Sequence, residues 1–390
     1  MKKILFVFHS SDLLSGATHS LVDNIDMLLE TGKYEVCAVF PYQEGTASEH
    51  LKSRGAKVFT FKYGKLMKDL KFPLWKKILK FPLFVIRHME VRLQVSKAAK
   101  MFENYDFDMV YSNTSSIIFG GLLGKKLACK QIWHIREFRT LDHKISFYLG
   151  EKWIKNFIQK NSNAVLCVGQ AVKDFHSDVI DPKKMFVTYN NFPKDVICSR
   201  NEFNTDEPLR LLLAGDIKPG KGQLEAVKAV AAVNKKHPGQ VVLNLAGREA
   251  GTAYEAEIKD FIAQNNLENC VNFLGFCSDM KTLRKNSDIG LVTSENEAFG
   301  RTTIEGMLSM MTLIGRNSAE TAKLINNDKT GLLYDGSVAD LARCICTLVK
   351  DRSLLQKFAK AGFEDAKKYT SGYAVKITEQ TIDLVFEDKL

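Results

Sequence analysis

Short apolar runs recur along the first half of the chain, each closed by a polar turn and followed by helical spacing. Lys3–His9 is a β-branched and aromatic run, then comes the polar turn Ser10–Ser15, and apolar positions at helical intervals span Ala17–Glu30. Val36–Phe40, Lys57–Phe61, Met109–Ser112, Gln131–Ile135 and Ala164–Val168 repeat the motif, with a helix expected near Ser48–Arg54. Brief strands apolar on both faces, alternating with helices, predict a parallel sheet covered on both sides. The pattern breaks at Phe192–Pro208, which is polar, bounded by prolines and without periodicity, as an interdomain linker would be. It restarts with strands expected at Leu209–Ala214, Val241–Ala246, Val271–Leu274, Ile289–Thr293, Leu313–Gly315 and Gly331–Tyr334. The fold class is therefore α/β, two tandem Rossmann-like domains at 1–195 and 206–371, expected to face a cleft. In such sheets ligands bind beyond the carboxyl ends of the strands.

At 390 residues, two hydrophobic cores are the natural division. No run of about 18 apolar residues is present, so no membrane span is expected. The opening MKKILFVFHSSD is too soon interrupted by polar residues for a signal peptide, and a cytoplasmic location is the expectation. The eight cysteines are scattered and form no C-x-x-C pair, which fits buried thiols rather than a metal site. Most of the net charge of +10 comes from residues 62–100, which hold eleven Lys or Arg against Asp69 and Glu90.

The candidate chemistry sits just after expected strands. Ser294-Glu295-Asn296-Glu297-Ala298-Phe299-Gly300-Arg301-Thr302-Thr303-Ile304-Glu305 follows Ile289–Thr293 and opens a helix. A helix start offers unpaired N–H groups and partial positive charge, which suits a diphosphate. Gly300 permits close backbone approach, and Thr302 and Thr303 add hydroxyls. Glu297 in the loop is placed to face a reacting sugar, and Glu305 on the helix to accept from ribose hydroxyls. A bland reading, two acids capping a helix start, also fits the pair taken alone.

The run resembles the Glu-x7-Glu signature of glycosyltransferase family 4, in the form E-A-F-G-R-T-T-I-E-G-M. The resemblance implies a retaining, metal-independent GT-B enzyme whose co-substrate is a nucleotide-diphosphate sugar, with no cofactor. Gly215 to Gly222 is similar to the family's G-R-x-x-x-x-K-G turn, so Lys221 is implied to neutralise donor phosphate, but Asp216 replaces the usual arginine. Lys218 or Arg301 are the candidate substitutes. Phe299, Gly300, Arg301, Thr302, Thr303 and Glu305 are implied donor contacts, as is Gly16 in the Ser15-Gly16-Ala17 turn. Trp133-His134-Ile135-Arg136-Glu137 resembles the W-H-x-R-E form of bacterial surface-polysaccharide members, which places His134 near donor sugar or acceptor. The family also implies that 372–390, helical from about Tyr373, packs back on the first domain. Catalysis would use the helix dipole and Lys221 on the leaving diphosphate and Glu297 at the anomeric carbon. A double displacement on a carboxylate is the second route to retention.

Segment 62–100 interleaves lysines with Phe72, Trp75, Ile78, Leu79, Phe81 and Phe84. Pro73 and Pro82 predict short amphipathic pieces rather than one helix. Such a composition suits the anionic inner face of a membrane and a lipid-linked glycan acceptor, whereas no nucleic-acid module accompanies it. A lysine face on an ordinary helix is the plainer reading. A non-catalytic binding subunit and a nucleotide-sugar epimerase of the same fold are the alternative functions.

Overall fold

The computed structural model describes residues 1–198, 203 and 207–390. The expected linker Phe192–Pro208 lies partly outside the described residues, as does the expected first residue of the second domain. The chain forms two compact units, 1–191 with 372–390, and 192–371.

The first unit is built on β1 (Lys2–Val7), β2 (Tyr34–Pro41), β3 (Lys57–Phe61), β4 (Met67–Asp69), β5 (Met109–Asn113), β6 (Lys130–Ile135), β7 (Ile145–Phe147), β8 (Ala164–Cys167) and β9 (Met185–Val187). Seven of them pair in parallel in the order β3-β2-β1-β5-β6-β8-β9, while β4 and β7 form a separate antiparallel ribbon. Ile4 to Val7 are fully buried, as a central strand covered on both faces requires. The C-terminal helix Tyr373–Phe386 completes this unit, with Ile382 and Val385 in the same core as Phe6, Tyr111 and Leu166.

The second unit carries β10 (Leu209–Ala214), β11 (Val241–Ala246), β12 (Val271–Gly275), β13 (Ile289–Val292), β14 (Thr312–Arg316) and β15 (Gly331–Tyr334). They pair in parallel in the order β12-β11-β10-β13-β14-β15. In both sheets the order reverses beside the first strand, between β1 and β5 and between β10 and β13. That reversal opens a crevice at the carboxyl ends of the strands. Two tandem Rossmann-like domains are thus present.

Residues 74–101 correct one expectation. They form a single 28-residue helix, Leu74–Met101, with Pro82 inside it. Pro82 removes one backbone donor, but the turns around it are exposed, so the freed carbonyl meets water. Phe84, Val91, Val95 and Ala98 bury one stripe of the helix, and Phe84 stacks on Tyr148. This anchoring over four turns outweighs the local defect. No helix of the described residues is long and apolar enough to cross a membrane.

Candidate active site

In the second unit the segments after β10 and β13 flank the crevice. Lys221 follows β10 and Glu297 follows β13, and Lys221 Nζ donates to Glu297 Oε1 at 2.5 Å. Burial pushes the Glu297 carboxyl up. The Lys221 ammonium, the Ser294 hydroxyl and the Lys218 charge outweigh burial and hold it below the ordinary carboxylate range. Glu297 is therefore an ionised carboxylate at neutral pH. The loop that presents it is braced from behind, since Ser318 Oγ donates to Glu295 O at 2.7 Å and Glu320 N to Glu297 O at 3.1 Å.

Two glycines make the loop geometry. Gly300 precedes the helix Arg301–Leu308 with φ +76°, and Gly222 precedes Gln223–Lys236 with φ +72°. A Cβ at Gly222 would lie 2.8 Å from the Thr293 carbonyl oxygen, so this backbone approach admits only glycine.

Glu305, one turn into its helix, receives Arg284 Nη1 at 3.0 Å and Arg301 Nε at 2.8 Å. Arg301 also lies over the Phe192 ring, 5.3 Å from its centroid. Of the two candidate substitutes for the missing arginine, Arg301 is thus committed to Glu305, while Lys218 is exposed and carries no ion pair among the described residues. The sequence concealed a third cation: Arg248, after β11, binds Asp216 with Nε to Oδ1 at 3.1 Å. Asp216 therefore brings a guanidinium to the turn that lacks its own.

Thr302 is partly open, but Thr303 is fully buried with an unpartnered hydroxyl. The structure does not bring Thr303 to the site, because one further residue along a helix turns the side chain about 100° onto the packed face. Phe299 is nearly buried and stacks on Phe192 at 5.8 Å, bracing the loop rather than presenting a free ring.

In the first unit, a recess of 420 Å³ opens at the β1/β5 crevice. Ser15 and Gly16 line it after β1, Thr114 and Ser116 after β5, and Arg136 and Glu137 after β6. His134 does not line it. That imidazole is 2% exposed, and its Nδ1 meets Tyr111 Oη at 2.7 Å and Arg136 Nη2 at 3.2 Å. Burial, then the Arg136 charge, hold it well below the usual histidine range. The proton of the neutral ring therefore sits on Nε2 and Nδ1 accepts. His134 positions Arg136, the residue that reaches the recess. Alternation across a strand explains the exchange: His134 points with Ile132 into the core, and the motif's polar end emerges only after β6 closes.

Residues 198–365 match the family model of glycosyl transferases group 1, which covers most of the second unit. The whole chain is similar to HepE of Anabaena, solved in complex with UDP, with a TM-score of 0.77 and 19% identity over 99% of this chain and 100% of that one. The fold is that of a GT-B glycosyltransferase. A second similar structure is the lipopolysaccharide outer core galactosyltransferase WaaB in its apo form, at TM-score 0.75 and 14% identity, covering 100% of each chain. Among curated relatives, EpsD of Bacillus subtilis is 22% identical over 71% of this chain and 76% of its own length. The N-acetyl-alpha-D-glucosaminyl L-malate synthase of Bacillus anthracis is 23% identical over 59% and 62% respectively.

Proposed function

We propose that the protein is a retaining glycosyltransferase that uses a UDP-sugar. The observation that carries this reading is the Lys221–Glu297 pair, set at the crevice of the second sheet beside the start of Arg301–Leu308. Lys221, Lys218 and the helix N-terminus neutralise the leaving diphosphate without a metal, with Gly300 and Thr302 against its oxygens. Glu305, its carboxylate oriented by two arginines, accepts from the ribose hydroxyls. Gly16 lets donor or acceptor approach the backbone of the first unit. The bond from anomeric carbon to phosphate oxygen breaks, and the acceptor oxygen bonds to that carbon from the same face. The departing diphosphate takes the acceptor's proton. Glu297, ionised, stabilises the positive charge that develops at the anomeric carbon. HepE, solved with UDP and glucose, supports the choice of nucleotide.

The test is a panel of nucleotide sugars followed by thermal shift and donor hydrolysis, with the product's anomer read by proton NMR. Stabilisation by UDP, product of retained configuration and indifference to EDTA are expected. An inverted product or a chelator-sensitive rate would overturn the mechanism, and no stabilisation by any nucleotide would overturn the function.

We also propose that the acceptor is a lipid-linked glycan of a surface polysaccharide, met at an anionic membrane face. Trp75, Ile78, Leu79, Pro82, Ile86, Met89 and Leu93 follow one another at helical intervals along Leu74–Met101, on the face opposite its buried stripe. Their large side chains are between 61% and 73% exposed, proline aside. A contiguous apolar stripe of this length on a surface marks an interaction site. Lys76 and Lys80 are exposed beside its first turns, while Lys77 lies behind them and donates to Leu70 O at 2.8 Å. Together they make this end of the helix basic, as suits an acidic lipid surface. Sedimentation with phosphatidylglycerol vesicles at low salt, lost on changing these three lysines to Glu, is the expected result.

A further inference from the structure

A second recess, of 460 Å³, adjoins the one at the β1/β5 crevice, and the two share His9 and Lys65 in their walls. The second is completed by Ser10, Ser11, Tyr42 and Arg87. Their charges do not cancel. Lys65 and Arg87 make no hydrogen bond or ion pair among the described residues, and both are exposed. Arg136 is held by neutral groups, the side-chain oxygens of Asn113 at 2.6 Å and Asn190 at 2.7 Å. Among the described residues, Glu137 is the one carboxylate in the walls of the two recesses. Its Oε1 already accepts from the Ser115 N–H at 2.8 Å, the Ser115 hydroxyl at 2.7 Å and the Ser116 hydroxyl at 3.4 Å. His9 binds Ser15 Oγ through Nε2 at 3.1 Å, and its Nδ1 is buried with no partner. Thr114, a β-branched residue in the wall, is held at φ +66°, a conformation that costs free energy and so is kept by its surroundings.

Three cations against one satisfied carboxylate, in a concave wall, make a positive potential that attracts an anion. Guanidinium and ammonium donors with hydroxyls between them bind phosphate or carboxylate oxygens by charge-assisted hydrogen bonds. We propose that the two recesses form the binding site for an acid group, phosphate or carboxylate, carried by the acceptor, with Lys65 and Arg87 as its charge partners. The assignment to the acceptor rests on the glycosyltransferase reading, in which the second unit holds the nucleotide. Arg87 belongs to the helix Leu74–Met101, on the flank of its exposed apolar stripe. An acid group presented at the surface on which that helix lies therefore meets Arg87 first.

The experiment uses the full chain saturated with UDP. Inorganic diphosphate and glucuronate are titrated separately, and the imidazole signals of His9 and His143 are followed by NMR. At least one acid is expected to shift them. Lys65→Ala and Arg87→Ala should each weaken its binding about fivefold, the scale of one partly exposed ion pair. Lys65→Glu with Arg87→Glu should abolish it, with UDP affinity unchanged throughout. The tighter acid identifies the acceptor's charge as phosphate or carboxylate. No shift of His9 by either acid, or a loss of UDP affinity in the alanine variants, would overturn the proposal, the second outcome giving the recess to the donor. Failure of the wild type to bind UDP would count against the glycosyltransferase reading instead, and the same titration on nucleotide-free protein would still decide this site.

Discussion

The Lys221 ammonium holds Glu297 ionised against its burial, with 15% of the Glu297 side chain exposed. Glu297→Gln keeps the shape and removes the charge. Turnover should fall at least a hundredfold, as removal of one transition-state charge partner does, while the dissociation constant for UDP stays within about threefold. Because the Glu297 carboxyl is lowered in the folded chain, its contribution is present above the unfolded carboxylate value and is lost as pH falls through the folded one. Lys221→Met removes the main cause of that lowering and leaves burial to raise the carboxyl, so the second unit's melting temperature should fall less steeply with acid below about pH 4.5 than the wild type's does. The histidines of the first unit act with the opposite chemistry. His134 and His176 are buried neutral, burial being the main cause for both, with Arg136 beside the first and Arg139 and Lys155 beside the second. His9 is lowered to about 4 by burial and then by Lys65. A basic group whose folded value is depressed takes up its proton in the unfolded chain first. Stability is then full above the unfolded histidine value of about 6.5 and declines below it, by up to about 1.4 kcal/mol per pH unit for each ring. Melting curves between pH 7 and pH 5 should show this slope, and His134→Gln or His176→Gln should flatten it even though each lowers stability overall. The Glu-x7-Glu spacing made Glu297 and Glu305 legible before any fold was seen, since both lie within one contiguous run. Arg248, Lys65 and Arg87 were not legible, because each reaches its site from a segment remote in sequence from the groups it joins.

At the scale of elements, the long strands were readable from their apolar runs, and Leu209–Ala214 and Gly331–Tyr334 hold to the residue. The strands β4, β7 and β9 have three residues each, too few to carry a period of two. The helix Leu74–Met101 failed to be read for a different reason. Local chemistry argued for a break at Pro82, and tertiary anchoring of Phe84, Val91 and Val95 overrode it. Pro82→Ala should then stabilise this helix by up to about 3 kcal/mol, the interior cost of proline, observed as slower amide exchange over residues 76–86. If exchange there is unchanged, the turns before Pro82 are held by something other than their own hydrogen bonds. The same helix carries both the buried stripe and the opposite apolar stripe, so Trp75→Ser with Leu79→Ser should weaken vesicle binding without lowering the melting temperature.

On the scale of the molecule, two cores of separate composition predict two unfolding transitions. UDP at a hundredfold excess over its dissociation constant should raise one of them, adding about 2.7 kcal/mol. Removing residues 372–390 should lower the other, because Ile382 and Val385 leave the core of the first unit. A single transition in calorimetry, shifted by both changes, would contradict this division. What the sequence by itself determined was the alternation, hence two parallel sheets, and the contiguous run from Glu297 to Glu305, because period and spacing are properties of neighbours along the chain. Only the tertiary structure decided that His134 holds Arg136 instead of facing the recess, that Asp216 recruits Arg248, and that Lys65 and Arg87 share one wall. Those pairings depend on which strand lies beside which and on which face a side chain leaves, and a linear pattern does not encode either until the sheet is assembled.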